Sequence, residues 1–372
     1  MEQCDVLIVG GGPAGSTLAW KLRDSGLNIH LIDKARFPRD KTCAGWITPQ
    51  IIDELALDLK DYAQGRVLQP IQAFYTGIIG HQPIHHVYDE PVSYGILRRQ
   101  FDHYLLQRCG ATLHLGEPVH SISRTPDGWL VNEHLKTRLL VGAGGHFCPI
   151  AQYLGARLGH DERIVAAKEI EFALDDAQRK ACPASATTPE LYFCADLQGY
   201  GWIFRKGDYL NIGLGREDNH HLTRHLDAFV HWLSLQGRIP PELPTRYKGH
   251  AYLLYSHASR TLIDDGVLLI GDAVGLAYAQ SGEGIRPAVE SALLAASVIG
   301  QTDQFSKTYL AAYEQRLLER FGSHRGKGNP TEWLPETLRQ SLGRRLLSNA
   351  YFARRVLLDQ WFLHRDLPAL VA

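Results

Sequence analysis

The sequence predicts an α/β fold in which a Rossmann-like dinucleotide-binding domain is interleaved with an antiparallel-sheet domain and followed by a helical C-terminal segment. Three observations support this prediction. An apolar run leads into a glycine-rich turn at the start of the chain, a second apolar run ends in Gly-Asp near residue 270, and apolar and polar residues alternate between residues 160 and 257. The 372 residues are enough for two lobes with a shared core.

The start of the chain has the pattern of a dinucleotide-binding βαβ unit. The run CDVLIV leads into GGGPAG, a helix is predicted over 16–25, and Asp33 ends the next apolar run. Gly10 permits the tight turn, Gly12 lets the backbone approach a pyrophosphate, and Gly15 lets the helix pack closely on the sheet. The helix N-terminus attracts phosphates, and Asp33 can accept hydrogen bonds from a ribose. The residues expected to contact the dinucleotide are Gly10, Gly12, Pro13, Ala14, Gly15, Asp33 and Lys34.

The segment near residue 270 indicates which dinucleotide this is. An apolar strand is followed by Gly271-Asp272 at a strand-to-helix junction, and SGEGI at 281–285 precedes an apolar-periodic helix predicted over 286–299. An Asp at this junction can hydrogen-bond a polyol chain, and a Gly-rich helix start can lie against a ring system. FAD has a ribityl chain and a nicotinamide cofactor has none. The sequence therefore predicts non-covalently bound FAD, with contacts at Gly271, Asp272, Gly282, Gly284 and Ile285.

At these residues the chain resembles the FAD-dependent oxidoreductases of the glutathione-reductase-like Rossmann superfamily. The likeness is strongest to the geranylgeranyl reductase family, which is related to flavin hydroxylases and halogenases. Four stretches carry it: GGGPAG, KTCAGWITP at 41–49, YGWIF at 200–204, and the segment from Gly271-Asp272 to Ile285. Together they span most of the chain.

The resemblance implies further cofactor contacts. The chain passes the flavin at Cys43, Ala44 and Gly45, family members carry an Arg at the position of Arg98 that approaches the cofactor, and Val119 is a further contact. A solvent-exposed charge at a helix start is the alternative for Arg98. A small residue needed for close backbone approach is the alternative for Cys43.

Two departures from the family pattern limit what the resemblance implies. Ala143-Gly144-Gly145 replaces the usual Ala-Asp-Gly, so a carboxylate is absent there. Phe204-Arg205 replaces the usual Phe-Pro. The second change predicts a cation near the substrate face.

The order of the segments predicts interleaved domains. Residues 1–52, 93–159 and 258–302 are assigned to the FAD-binding domain, residues 53–92 and 160–257 to the antiparallel-sheet substrate domain, and residues 303–372 to the helical C-terminal segment. Tyr200, Trp202 and Phe204 alternate along one predicted strand and should share one face, which gives an apolar wall. Tyr200 and Trp202 are, with Cys43, the candidate catalytic or cavity-lining residues. Ordinary core aromatics are the alternative, because aromatic residues are enriched in strands.

Residues 344–363 mix paired arginines with large apolar side chains. Such a segment can rest on a membrane surface, or it can pack on its parent domain. The balance of 39 basic against 40 acidic residues gives no sign of nucleic-acid binding. No apolar run is long enough for a membrane span, and no signal sequence is expected, so a cytoplasmic protein is predicted, with peripheral membrane association as the alternative. No Cys or His spacing indicates a metal site.

The function implied by the resemblance is that of an FAD-dependent oxidoreductase acting on an apolar small molecule or lipid. Reduced flavin would reduce C=C bonds of a prenyl chain, and NAD(P)H or a reduced electron-carrier protein would recharge it. The sequence identifies no proton donor and no second dinucleotide-binding unit. Two alternatives remain open: an FAD-dependent monooxygenase that hydroxylates an aromatic or polyketide-like substrate, and a non-catalytic flavin-binding redox sensor.

Overall fold

The computed structural model describes residues 1–157, 162, 164–218, 220–257, 260–301, 304–323 and 335–370. The strands, in chain order, are β1 (Glu2–Val9), β2 (Ile29–Asp33), β3 (Trp46–Ile47), β4 (Leu68–Ile71), β5 (Ala73–Ile78), β6 (Ile84–Val87), β7 (Ser93–Ile96), β8 (Thr112–Leu115), β9 (Ile122–Thr125), β10 (Gly128–Val131), β11 (Leu135–Gly142), β12 (Ile164–Ala173), β13 (Glu190–Phe193), β14 (Gly199–Lys206), β15 (Tyr209–Arg216), β16 (Lys248–Leu253), β17 (Ile263–Asp264) and β18 (Val267–Leu269).

The helices are α1 (Pro13–Leu22), α2 (Pro49–Glu54), α3 (Leu59–Tyr62), α4 (Arg98–Gln107), α5 (Pro149–Tyr153), α6 (Asp176–Ala181), α7 (Leu222–Leu235), α8 (Ile285–Ile299), α9 (Lys307–Phe321), α10 (Glu336–Leu347) and α11 (Ala350–Phe352). A π-helical segment, Ala353–Phe362, follows α11. Helix α1 begins earlier than the predicted 16–25, because Pro13 is suited to the first helical position after Gly12.

The first sheet has the strand order β17-β18-β11-β1-β2-β8. Strands β18, β11, β1, β2 and β8 are parallel, β17 pairs antiparallel at the edge, and the hairpin of β9 and β10 extends from β11. Helix α1 packs on α8. The centre of β1 is fully buried, which is why its sequence is continuously apolar rather than alternating.

The second sheet has the order β16-β12-β15-β14-β13-β5-β6. Its neighbours are antiparallel except for β13 and β5. Helix α7 packs on β15 and β12. A small sheet of β3, β7 and β4 completes the strand pairing. The predicted combination of a Rossmann-like parallel sheet, an antiparallel sheet and a helical C-terminal segment is confirmed.

The C-terminal segment divides into two parts. Helix α9 packs on α8, whereas the π-helical segment buries Leu357, Leu358 and Phe362 against the second sheet. In the part of the chain that the structure describes, no helix combines the length and the apolar character needed to cross a bilayer.

Candidate active site

A cavity of ≈ 400 Å³ lies between the two sheets. Its floor is formed by the glycine loop after β1, by residues 143–147 after β11, and by the segment at 281–285 before α8. Strands β12, β13 and β14 of the second sheet supply the opposite wall. The carboxyl ends of parallel strands are where α/β sheets bind their ligands, so this is the expected place for a cofactor.

The glycine loop has the backbone that a phosphate cradle requires. Gly10 has φ +119°, and a Cβ there would lie 2.4 Å from the carbonyl oxygen of Ala143. A Cβ on Gly15 would lie 1.9 Å from the carbonyl oxygen of Gly10, so Gly15 permits helix packing and stays off the cavity wall. Gly12 caps α1 without a side-chain hydrogen bond. The first N–H groups of α1 are therefore available to an anion.

Asp33 lies on the cavity wall next to Lys34. Its carboxylate accepts hydrogen bonds from the backbone N–H groups of Gly11 (2.7 Å) and Ala35 (2.8 Å). These bonds fix the carboxylate at the end of β2. A carboxylate has further acceptor positions, so Asp33 can still bind hydroxyl groups of a ribose.

A cluster of cations lies beside the glycine loop. Arg98 donates two hydrogen bonds to the buried Asp102, at 2.8 and 2.9 Å, and the Arg39 guanidinium lies 3.2 Å from the same carboxylate. Burial, together with the nearby Arg98 guanidinium, lowers the pKa of Lys41 to about 8. The exposed-charge alternative for Arg98 does not apply, since this side chain is buried. Two of the cations, Arg39 and Lys41, were not predicted as cofactor contacts, although both precede the Cys43 segment by a few residues.

The far end of the cavity is built around the start of α8. A Cβ on Gly284 would lie 3.0 Å from Oδ1 of Asp272, so these two residues are in direct proximity. Gly282 has φ +70°, and a Cβ there would lie 2.3 Å from the hydroxyl of Tyr252. Gly284 caps α8 without a side-chain hydrogen bond. Because Gly284 and Ile285 line the cavity, the N-terminus of α8 faces it.

The segment Cys43 to Gly45 is held against the cavity by the second sheet. The Cys43 N–H donates to Glu169 (2.8 Å), and the Asn211 side chain donates to the Cys43 carbonyl (3.2 Å). The buried ammonium of Lys206 donates to the Ala44 carbonyl (2.9 Å) and is paired with Glu171. Burial raises the pKa of Glu169 to about 7.

Gly45 is needed in this segment for close approach. It has φ +74°, and a Cβ there would lie 2.4 Å from the carbonyl oxygen of Ile96. The Cys43 thiol lies beside the Arg98 guanidinium. Sequence analysis did not identify the polar partners on the second sheet. The available signal was weak, because Glu169, Asn211 and Lys206 stand in strands that carry other charged residues as well.

Tyr200, Trp202 and Phe204 all line the cavity from β14. The Tyr200 hydroxyl donates to the Ser281 carbonyl (2.6 Å), and the Trp202 indole donates to Asn211 (2.7 Å). These bonds satisfy the polar atoms of both rings, so the wall presents mainly apolar surface. Phe362 of the C-terminal segment packs on Tyr200, with ring centroids 5.3 Å apart.

Arg205 does not lie at the substrate face, where the sequence predicted it. Arg205 is not among the cavity-lining residues, and its guanidinium donates instead to the Gly207 carbonyl (3.2 Å). The physical reason is strand alternation, which places Arg205 on the face opposite to Phe204. The prediction that Arg205 lies near the substrate face was wrong.

Two other predicted positions lie off the cavity wall. Val119 precedes β9 and packs against the core of the parallel sheet. Gly271 has φ +63°, and a Cβ there would lie 2.9 Å from the Cβ of Ala14, so it serves the packing of the strand end on α1. The predicted cofactor positions that do line the cavity are Gly10, Gly12, Pro13, Ala14, Asp33, Lys34, Cys43, Ala44, Gly45, Arg98, Asp272, Gly282, Gly284 and Ile285.

The residues present fit FAD. The uncapped start of α1 and the cations beside it suit a diphosphate, and Asp33 stands where the adenosine ribose would lie. Asp272 and the N-terminus of α8 lie at the other end, where a carboxylate suits the hydroxyl groups of a polyol chain and the positive end of the helix dipole suits a ring with carbonyl oxygens.

Comparisons with known proteins agree with this geometry. Residues 8–42 match the family described as NAD(P)-binding Rossmann-like domain. The chain is 26% identical over 346 residues to a digeranylgeranylglycerophospholipid reductase of Methanococcus vannielii, covering 86% of this chain and 83% of the relative. It is 29% identical to a menaquinone reductase of Mycobacterium tuberculosis, covering 81% and 78%.

The fold also matches a solved structure. A geranylgeranyl bacteriochlorophyll reductase-like protein of Thermoplasma acidophilum superposes with a TM-score of 0.75 at 20% identity, covering 100% of this chain and 94% of that chain. The matches confirm the resemblance inferred from the sequence. The chain is similar in sequence to these reductases, and it shares the fold of the geranylgeranyl bacteriochlorophyll reductase-like protein.

Proposed function

We propose that the protein is an FAD-dependent oxidoreductase that reduces C=C bonds of an isoprenoid chain. The main support for the proposal is that the glycine loop and the aromatic side chains of β14 line the same cavity, on opposite sides. The matched relatives named for a digeranylgeranyl lipid and for menaquinone support a lipid substrate. FAD would be held non-covalently by the glycine loop, the cations beside it, Asp33 and Asp272.

FAD, when bound and reduced, supplies a hydride to the substrate double bond, and the protein must supply the accompanying proton. The aromatic wall of Tyr200, Trp202 and Phe204 would orient the chain and exclude water. Cys43 would lie against the reacting groups because the second sheet holds its backbone in place. NAD(P)H or a reduced electron-carrier protein would return electrons to the cofactor.

Glu283 is the best candidate for the role of proton donor. It lines the cavity, and its Oε1 accepts from the N–H of Arg286 (3.2 Å), while its Oε2 has no hydrogen-bond partner among the described residues. Burial raises the pKa of Glu283 to about 7. Nε2 of His364, also buried, lies 3.7 Å from Oε2. Glu283 would thus hold a proton at Oε2 near neutral pH.

We expect Glu283→Gln to slow C=C reduction by about 100-fold. The rate of the unaltered protein should be constant below pH 7 and fall above it, as Glu283 ionises, whereas the variant should lack this fall. The free energy of unfolding in urea is a second measurement, which does not require substrate. Because the folded state keeps Glu283 protonated up to about pH 7, rising pH from about 4.5 to 7 should cost the unaltered protein up to about 3 kcal/mol more than the variant. The exposed Glu90→Gln should behave like the unaltered protein, and equal pH profiles for Glu283→Gln would contradict the assignment.

We expect the affinity of the apoprotein for FAD to fall by about tenfold or more between pH 8 and pH 10. Lys41, whose pKa is about 8 when buried beside Arg98, loses its charge over this range and with it the attraction for a diphosphate. Lys41→Met should bind FAD more weakly at pH 7 and lose the pH dependence. Flavin fluorescence quenching measures the affinity, with the exposed Lys60→Met as control. A pH dependence that survives in Lys41→Met would show that another group senses the diphosphate.

Peripheral membrane contact is proposed for α10. Leu338, Leu342 and Leu346 recur every four residues on this helix and are all exposed, whereas Leu347 is buried against the second sheet. The same segment carries the exposed Arg345. An exposed apolar stripe beside arginines suits the surface of an anionic bilayer, where an isoprenoid lipid would be met.

Replacing both Leu338 and Leu342 with Asp should abolish co-sedimentation with vesicles that contain phosphatidylglycerol, because apolar burial is replaced by charge repulsion. Leu235 is an exposed leucine on another helix, 70% accessible. Leu235→Asp should leave sedimentation unchanged. Sedimentation that is equal for all three proteins would rule out α10 as the contact.

Hydroxylation by an FAD-dependent monooxygenase is the second candidate. The aromatic side chains of Tyr200, Trp202 and Phe204 on the cavity wall favour it, because aromatic rings can stack on an aromatic ligand. Product analysis separates the candidates. Incubated with electron donor and a geranylgeranyl lipid, the protein should add two hydrogen atoms to each reduced bond. A product containing oxygen would favour the monooxygenase, and the absence of turnover with any donor would favour a redox sensor.

A further inference from the structure

Three potential metal ligands converge at the edge of the parallel sheet, far along β1 from the glycine loop. Nδ1 of His30 and Nε2 of His114 are 3.0 Å apart. One carboxylate oxygen of Glu2 lies 3.8 Å from the His30 nitrogen and 3.7 Å from the His114 nitrogen. No sequence pattern indicates this cluster, because the three residues are separated by 28 and 84 positions.

The sheet topology brings these side chains together. His30 is in β2 and His114 in β8, and the register pairs His30 with Thr112 and Ile32 with His114. The two histidines are therefore diagonal neighbours on one face of the sheet. Glu2 begins β1, the strand on the other side of β2. The histidine side chains are largely buried, at 8% and 12% exposure, while that of Glu2 is 53% exposed.

The distances fit a first-row divalent ion. A point equidistant from the three ligand atoms lies about 2.1 Å from each, which is within the range of zinc–nitrogen and zinc–oxygen bonds. Imidazole nitrogens with one carboxylate form a ligand set that suits zinc. The exposed side of Glu2 leaves room for water as a fourth ligand. A simple hydrogen bond between two imidazoles would explain the 3.0 Å contact, but it would not require the carboxylate to approach both rings.

We propose that Glu2, His30 and His114 form a zinc-class metal site that links β1, β2 and β8. The site is separate from the cavity, since none of its ligands lines that cavity. Its expected effect is to stabilise this edge of the sheet, because an ion that binds only the folded chain shifts the folding equilibrium.

The test is a calorimetric titration of protein stripped with EDTA and desalted, using zinc chloride as the probe. One zinc per chain should bind, and excess zinc should raise the melting temperature. His114→Gln should lower the zinc affinity at least about tenfold and remove the thermal shift. Glu2→Gln, at an exposed position, should weaken binding without disturbing the fold, which keeps the test informative if a histidine variant folds poorly.

His134 supplies the matched control. It lies 3.3 Å from Glu117, so it is a His–carboxylate pair without a second imidazole. His134→Gln should leave the zinc affinity unchanged. The proposal is overturned if no saturable binding is seen, if Glu2→Gln and His114→Gln bind zinc like the unaltered protein, or if only His134→Gln loses binding.

Discussion

Gly10→Ala is expected to abolish FAD retention. The added Cβ would lie 2.4 Å from the carbonyl oxygen of Ala143, and the backbone at φ +119° is one that alanine rarely adopts. The turn must therefore open, which moves the N–H groups of α1 away from the diphosphate. We expect FAD affinity to fall by about 100-fold or more, since strain of about 3 kcal/mol corresponds to that factor.

Two further glycines separate binding from folding. A Cβ on Gly12 would meet only the Arg39 guanidinium, at 3.5 Å, yet it would stand on the cavity wall, so Gly12→Ala should lose FAD with little change in the melting temperature of the apoprotein. Gly26 has φ +79° with no atom within 4 Å of an added Cβ. Gly26→Ala should cost about 1 kcal/mol of stability and keep FAD. Full retention of FAD by both Gly10→Ala and Gly12→Ala would show that the glycine loop does not bind the diphosphate.

Lys206→Met is expected to destabilise the protein by about 3–5 kcal/mol. Lys206 is fully buried, and its ammonium is bound to the Ala44 carbonyl and to Glu171. Its removal leaves the Ala44 carbonyl without this donor and Glu171 without its cation, behind the Cys43 segment. Urea unfolding of the apoprotein measures the loss.

The same variant should weaken FAD binding, because the Cys43 segment loses one of its anchors on the second sheet. The exposed Lys180 gives the matched control, and Lys180→Met should change the free energy of unfolding by less than about 0.5 kcal/mol. If Lys206→Met is as stable as Lys180→Met, the buried network does not hold the segment.

The sequence was sufficient for those parts of the site that depend on local backbone. The roles of Gly10 and Gly15 follow from a turn and a helix that are contiguous in the chain, and Asp33 follows from the strand that it ends. The fold class could be predicted for the same reason, since strand and helix periodicities are local signals.

The parts that were not predicted depend on contacts between segments that are distant in the sequence. The cation cluster forms because α4 brings Arg98 and Asp102 to Arg39. The network behind Cys43 forms because β12 and β15 are neighbours, which places Glu169 next to Asn211. No pattern in one sequence specifies such neighbours.

The error at Arg205 had a different origin. The alternation that places Tyr200, Trp202 and Phe204 on one face also places Arg205 on the other, so the correct position was available from the sequence. Composition alone could not predict which apolar residues of the C-terminal segment are buried. Some of them form an exposed stripe on α10, and others form a buried stretch around Phe362.

We propose that this cavity holds FAD for the reduction of an isoprenoid chain. The most direct test is to reduce the bound flavin without oxygen and follow its reoxidation by absorbance, with a geranylgeranyl lipid in one experiment and oxygen in the other. We expect faster reoxidation by the lipid than by oxygen, together with a product in which double bonds have become saturated. Rapid reoxidation by oxygen with an oxygenated product, and no anaerobic reaction with the lipid, would contradict it.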